Sequence, residues 1–461
     1  VIRLITSSAA KCRGAGNNRT SRPHVGPLLV CRSMVCCAAA LLVLAGPAVA
    51  GPKPELKPPS YGYFDFPTCV RYALVHSDTF LQSRLDIQLV SADLKGFHSD
   101  LLPTIKLLTA YYVDRATAGD DGSPMYVRMY VEDWNPYLAL LKIKGGKIMV
   151  DIAKTAHLEK VVQGIATIAK LFYDVDVTNK QIRAQRQSIA LLEKKSEYAR
   201  SRSEQGGGDD IAVRMHQNDL RKGQLELRSL QQRLDEDLAS LKVIMGYHPD
   251  YHLPLDTRDA ANQILGGFDG TRITFADIQA GNLSLRILAK QEQLQSNVVT
   301  GAYVALLPQP ILLLEAISNQ VDRTSGLNIS VGFNYTLWDG FERVRNIRKQ
   351  QMKSQKAEID RRQRSREFYN KYHSLMSTID LSGGKETVAR ENAKLSELSE
   401  ERASIRFKSG EIQYEEYVQA RMDRVKASLE SIGALSERVN ALIDLATISG
   451  GLNRYNAALR H

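Results

Sequence analysis

At 461 residues, with 24% charged and 43% hydrophobic positions, the chain is long and apolar enough to bury a large core, which excludes wholesale disorder. Its formal net charge of +10 invites a nucleic-acid partner, but six basic residues and no acidic one lie in the first 33 positions (Arg3, Lys11, Arg13, Arg19, Arg22, Arg32). Without that segment basic and acidic residues nearly balance, so no nucleic-acid partner is expected.

The basic segment precedes Met34, a short apolar run from Ala38 to Leu44, and Ala48-Val49-Ala50 before Gly51, the small-x-small pattern of a signal-peptidase site. Residues 1–50 are therefore expected to be upstream sequence and signal peptide, with translation starting at Met34 and cleavage after Ala50. Cys12, Cys31, Cys36 and Cys37 fall in this segment, leaving Cys69 and no expected intramolecular disulfide in the mature chain. Pro47 stands where a lipoprotein box needs its acylated cysteine, so no lipid anchor is expected. Beyond it no segment offers the roughly eighteen consecutive apolar residues of a transmembrane helix. Any membrane-spanning part must then be a closed β-barrel, the other way to satisfy backbone groups in lipid.

The rest of the chain repeats itself. Trp134 and Trp338 are 204 residues apart, Leu101-Leu102-Pro103 recurs as Leu306-Leu307-Pro308, Arg202 to Gly206 recurs as Arg406 to Gly410, and Gly246 recurs as Gly450. Residues 51–250 form a first copy, 251–275 a linker, 276–450 a second copy and 451–461 a tail.

Each copy reads as helix, strand, strand, long helix, break, helix. In the first, a helix near 69–98 stops at the Leu-Leu-Pro, because proline lacks the N–H and pushes its predecessor out of the helical region. Ile105, Leu107, Thr109, Tyr111 and Val113 alternate, as do Val127, Met129 and Val131 opposite Arg128 and Glu132. A helix over 137–204 follows, about 100 Å long at 1.5 Å per residue, with Gly145-Gly146 expected to delay its start by several residues. Beyond the glycines at 206–208 a helix over 209–247 carries the heptad Leu220, Leu227, Leu234, Leu241 with Leu230, Leu238 and Met245 interleaved.

In the second copy a helix near 276–306 leads to the strictest alternation in the chain. Leu327, Ile329, Val331, Phe333, Tyr335 and Leu337 share one face, and Asn328, Ser330, Gly332, Asn334 and Thr336 the other. One face suits lipid and the other an aqueous lumen. A helix over 341–408, a break at Gly410 and a helix over 412–449 complete the copy, the last with Val418, Val425, Ile432, Val439 and Ala446 spaced by seven. In each copy the two shorter helices, stacked end to end, match the height of the long one. Four strands cannot close a barrel of useful bore, since small barrels are filled by side chains, so several protomers must share one.

This ordered set, present twice, resembles the outer membrane efflux protein family, whose best-known member is TolC, over nearly all of residues 67–450. The resemblance rests on the paired Leu-Leu-Pro motifs, Leu337-Trp338-Asp339-Gly340, the paired Arg-x3-Gly tips and the closing Ile443 to Gly450. The first copy departs from it, with Trp134-Asn135-Pro136 for the usual Asp-Gly ending and a triple glycine at its tip.

The resemblance implies a fold of mixed coiled-coil helix and transmembrane β: a TolC-like trimeric channel-tunnel in which each protomer gives two strands per repeat to a twelve-stranded barrel. It implies a cell outer-membrane location with a large periplasmic portion, and passive conduction powered by others. The implied partners are two further copies, a periplasmic adaptor protein, an inner-membrane pump and outer-membrane lipid.

Site residues follow from the same comparison. Arg202 with Gly206, and Arg406 with Gly410, match the tips where the adaptor's hairpin docks; otherwise the glycines only permit the turn. After Gly410 the family often places two acidic residues that close the periplasmic aperture. Glu416 matches the first, Gln419 stands at the second, and Asp209 and Asp210 are their looser counterparts at the first tip; otherwise Glu416 is an ordinary exposed helix charge. Trp134 and Trp338 suit an aromatic belt at the membrane interface, or else a tryptophan tucked under the helix start. Residues 341–371 hold eleven Lys or Arg against four acids, a lumenal anion preference or a solvated helical face.

No catalytic pattern stands out. Gly145-Gly146-Lys147 lacks P-loop spacing, and His216, His248 and His252 form no ligand motif, so no enzyme activity, metal or cofactor is expected. The rival from another class is a periplasmic adaptor or other soluble coiled-coil protein. It is disfavoured by two equivalent units and barrel-type strands.

Overall fold

The computed structural model describes residues 63–111, 125–131, 134–205, 210–266, 268, 270, 273–319 and 324–452. The signal segment, Val113, Glu132, Gly206 and Asp209 lie outside the described residues.

The described residues begin with helix α1 (Phe66–His76), followed by α2 (Asp78–Ser99), strands β1 (Ile105–Tyr111) and β2 (Met125–Val131), the 69-residue α3 (Pro136–Glu204) and α4 (Asp210–Met245). A short α5 (Ala260–Leu265) leads into α6 (Phe275–Gly281), α7 (Leu283–Val304), β3 (Gln309–Asn319), β4 (Thr324–Asn334), the 67-residue α8 (Glu342–Lys408) and α9 (Tyr414–Ser449). The duplication is therefore structural, with each element of the first copy finding a counterpart in the second.

The single helices expected at 69–98 and 276–306 are each broken, at Ser77 and at Asn282. Both residues adopt an extended backbone, φ −64° and ψ 123° for Ser77, φ −72° and ψ 120° for Asn282. The breaks make room for other helix ends. Gly246 closes α4 with φ +70°, its N–H and that of Tyr247 bonding back to the Val243 and Lys242 carbonyls. This is a left-handed helix stop that glycine adopts without the Cβ penalty. An added Cβ there would lie 2.4 Å from the His76 carbonyl oxygen, so α4 ends directly on the α1–α2 break. In the second copy Asn282 caps α7 by accepting from the Leu285 N–H at 3.0 Å and donates to the Ile448 carbonyl of α9 at 3.2 Å. The end-to-end stacking expected from the matched lengths is thus built by these two junctions.

The core sits where α1, α5 and the C-terminal ends of α4 and α9 surround the middle of α3. Phe66, Phe80, Ile165, Ile168, Phe172, Leu241, Met245, Ile264 and Ile443 are fully buried there. Residues 251–275 are more than a linker: Leu253, Ala260 and Ile264 are buried in this core, and Leu255 bridges to Phe64. Cys69 is also in the core, and burial pushes its thiol up to about 12.

Gly145 and Gly146 do not delay α3, which runs unbroken from Pro136. Both are buried because they form a notch for two neighbours: a Cβ on Gly146 would meet Phe97 at 2.8 Å and Leu94 at 2.9 Å on α2, and one on Gly145 would meet Asn297 at 3.1 Å on α7. Close helix approach outweighs the helix propensity lost, about 1 kcal/mol per glycine.

The sheet is antiparallel in the order β1-β2-β3-β4, and the β2–β3 pairing, Met125 opposite Ser318 to Val131 opposite Leu312, joins the copies. β4 ends at Asn334, so Tyr335 to Leu337, expected to continue the alternation, leave the sheet as exposed chain before α8.

Candidate channel wall, tips and membrane edge

The two long helices have unequal surroundings. α3 packs against α2 and α4 on one side and α7 and α9 on the other, whereas α8 packs against α7 and α9, with short α6 touching it through Phe275, and has no counterpart of α2 and α4 among the described residues. Accordingly 26 residues of α3 are buried and only four of α8, Ile347, Ile379, Ser382 and Glu386. Leu381, Val388, Leu395 and Ile405 of α8 are each about 60% exposed. A heptad-like apolar face left bare on a coiled-coil helix is a seam without a mate among the described residues.

The tips meet each other. Arg202, at the end of α3, reaches Glu415, in the first turn of α9, at 3.6 Å. Ser203 donates to Asp210 at 3.0 Å, holding the start of α4 beside the end of α3. At the second tip Gly410 has φ +79°, and the N–H groups of Gly410 and Glu411 bond back to the carbonyls of Phe407 and Arg406. Glycine is thus required there by backbone conformation. Arg406 faces Glu411 at 3.3 Å, within its own tip.

Sequence reasoning missed the aromatic cluster beneath these contacts. Phe407 and Tyr417 stack at 5.2 Å and 7°, Phe407 meets Tyr414 at 5.7 Å, and Tyr198 of the first hairpin meets Tyr414 at 5.1 Å. The signal was present as three aromatic residues within eleven positions around the tip glycine. Periodicity counting passed over them because they straddle a break.

Glu416 is exposed, and Gln419, one turn on, is exposed and donates to Asp423 at 2.9 Å. Glu416, Gln419 and Asp423 fall at i, i+3 and i+7, on one face of α9. Glu415, which sequence reasoning did not single out, turns instead toward the first hairpin.

At the sheet end, Trp134 is half-buried and donates from Nε1 to the Leu101 carbonyl at 3.2 Å, tying the start of α3 to the end of α2. Trp338 is 73% exposed and packs edge-on against Phe341 at 5.0 Å. The paired tryptophans thus occupy corresponding positions in different environments. Asn135 caps α3 by accepting from the Leu138 N–H at 3.0 Å, whereas α8 opens on Phe341, held in the left-handed region at φ 64°. Ile329, Val331 and Phe333 of β4 are exposed along one face. No helix among the described residues is long and apolar enough to cross a membrane.

Of the basic residues in 341–371, Arg343, Arg361, Arg362 and Arg364 are paired with Asp339, Glu292, Glu358 and Glu367. The run is thus partly a laced helical face.

The chain matches no family model and no curated protein. Its fold is that of the TolC-like outer-membrane channel-tunnels. It superposes on a membrane protein from Pseudomonas aeruginosa with a TM-score of 0.69 at 14% identity, over 84% of this chain and 93% of that one. The corresponding values are 0.70 and 10% for the channel protein CusC, over 83% and 91%, and 0.68 and 10% for the outer membrane protein VceC of Vibrio cholerae, over 84% and 96%. At these identities what is shared is the fold.

Proposed function

We propose that the chain is the outer-membrane channel subunit of a tripartite efflux or type I secretion system, a passive conduit from periplasm to exterior that works as a homotrimer. The observation that carries this reading is the half-finished environment of α8. Because α8 is the counterpart of α3, the helices it lacks are counterparts of those already lining α3, namely α2 and α4 of a second copy. A ring closes when each copy completes its neighbour's α8 and β4 meets β1 of the next protomer, leaving no open sheet edge in the membrane. The exposed apolar face of β4 then meets lipid.

In this reading the Arg202–Gly206 and Arg406–Gly410 tips receive an adaptor that links the channel to an inner-membrane pump. Glu416, with Gln419, Asp209 and Asp210, faces the periplasmic aperture, and Trp134 and Trp338 mark the membrane edge. The chain itself performs no chemistry. The test is the mass of the complex extracted by detergent from the outer-membrane fraction of cells expressing the chain. A stable trimer there supports the channel; a soluble periplasmic monomer overturns it in favour of a coiled-coil adaptor.

A further inference from the structure

Between the two hairpins, above the tips, lies a cleft of about 310 Å³ lined by Gln187 and Lys194 of α3, Glu400 of α8, and Arg421, Arg424 and Ser428 of α9. Among the described residues lining it, three are cationic and one is acidic. Glu400 is the shielded member, its side chain 14% exposed, and each of its oxygens is used: Arg421 Nε approaches one at 3.2 Å and Arg424 Nη1 the other at 2.6 Å. Arg424 has a longer contact to Glu397 at 3.5 Å, and the Arg421 guanidinium sits over the Tyr417 ring at 5.8 Å.

The carboxylate therefore fixes two guanidinium groups without exhausting them, since each carries five N–H donors in a rigid fork. Lys194, on the opposite wall, has no hydrogen bond or ion pair among the described residues. Gln187 and Ser428 add neutral donors. A cavity with an excess of two positive charges, preset donors on one side and a free ammonium on the other, is complementary to a small oxyanion.

We propose that this cleft binds a free oxyanion of the phosphate type, held by Arg421 and Arg424 on one wall and Lys194 on the other, so that the ligand ties the first hairpin to the second. The site uses the contacts within one protomer and does not rest on the channel reading.

The test is a calorimetric titration of inorganic phosphate into the full-length, detergent-solubilised protein at fixed ionic strength, with chloride as the comparison anion, for the parent and for Lys194→Gln. Lys194 is exposed, so its replacement leaves the fold intact. The expected result is saturable binding of one phosphate per chain, weakened roughly fivefold or more by Lys194→Gln, as for loss of one charge-assisted hydrogen bond. Arg424→Gln is expected to weaken it further, with the helical circular dichroism of each variant checked against the parent. Heats that do not saturate, a response that chloride reproduces, or an affinity unchanged by Lys194→Gln overturns the proposal. The mass of the complex, trimer or monomer, is read independently.

Discussion

Arg202 of the first copy and Glu415 of the second stand 3.6 Å apart, an ion pair that crosses between the two tips. Their side chains are 47% and 41% exposed, so solvent screening limits the pair to at most about 1 kcal/mol. On the channel reading proposed above, replacing Arg202 by Glu is expected to loosen the tips and raise single-channel conductance in planar bilayers. The swap Arg202→Glu with Glu415→Arg should restore the parental value, and the parental difference should shrink as salt is raised. A double swap as open as the single variant would show that the pair does not hold the tips.

Gly164 on α3 faces the buried ring of Phe80 on α2, and a Cβ at 164 would lie 2.4 Å from Phe80 Cζ. Gly164→Ala should gain helix propensity yet destabilise the protein, by about 1–3 kcal/mol, because overpacking costs more. Adding Phe80→Leu should recover part of the loss. Thermal unfolding followed by circular dichroism checks both, and an Ala variant as stable as the parent would contradict the packing.

Asp174 of α3 and Asp237 of α4 both have carboxyls raised above the ordinary value of 3.8, in each case chiefly through burial. The Asp174 charge raises Asp237 further, while Arg233 pulls both down and Lys170 and Asn440 pull Asp174 down. Oδ2 of Asp237 and Oδ1 of Asn440 are buried without a hydrogen-bond partner. A raised folded-state value means the folded protein binds more protons than the unfolded chain above about pH 4, so this contribution is full below that pH and is lost as pH rises through the folded-state values. Asp237→Asn should therefore raise the unfolding temperature at pH 7 and leave it nearly unchanged below pH 4. A variant less stable than the parent at pH 7 would refute the sign.

Glu386 of α8 is 5% exposed and pairs with Arg390 on its own helix and with Arg438 of α9, the latter at 2.6 Å. Arg438→Gln leaves a buried carboxylate with one partner in place of two, and should cost about 1–3 kcal/mol. Lys385→Gln, which removes the exposed pair with Glu437, should cost much less. Denaturant unfolding midpoints for the two variants test that order.

The bare seam of α8 gives the assembly test. Leu381→Glu with Val388→Glu places charge on a face that is mostly open within the protomer, 63% and 59% exposed at these positions. The expected outcome is loss of the proposed trimer in native mass measurements with the helical circular dichroism kept. A double variant that still assembles would place the interface elsewhere.

Much of this fold was legible in the sequence. The 137–204 and 341–408 helices fall within one residue of α3 and α8, because Trp134-Asn135-Pro136 and Trp338-Asp339-Gly340 stand before them and a glycine tip follows each. The breaks at Ser77 and Asn282 were not legible: neither residue forbids a helix, and each break exists because the end of another helix lies against it. β3 was expected as the first strand of the second copy but received no bounds, since Ile311 to Leu314 is a solid apolar run with no alternation to count. Of the tip residues, Gly410 could be read because its backbone conformation demands glycine. Glu415 could not, because a neighbour of Glu416 on a helix turns to a different face, and only the position of the other hairpin makes that face matter.

If the homotrimer proposed above forms, the contrast between an enclosed α3 and a one-sided α8 also sets an order of events in making the molecule. α3 is enclosed within a single chain and can reach its final packing as soon as that chain is complete, whereas α2 and α4, with few buried residues, keep faces that await a neighbour's α8. In that homotrimer α8 waits for another chain to supply its missing side, so its last stabilisation depends on protomer concentration. Damage to α3 should then show as poor folding of individual chains, and damage to the bare faces of α8, α2 and α4 as chains that fold but accumulate unassembled.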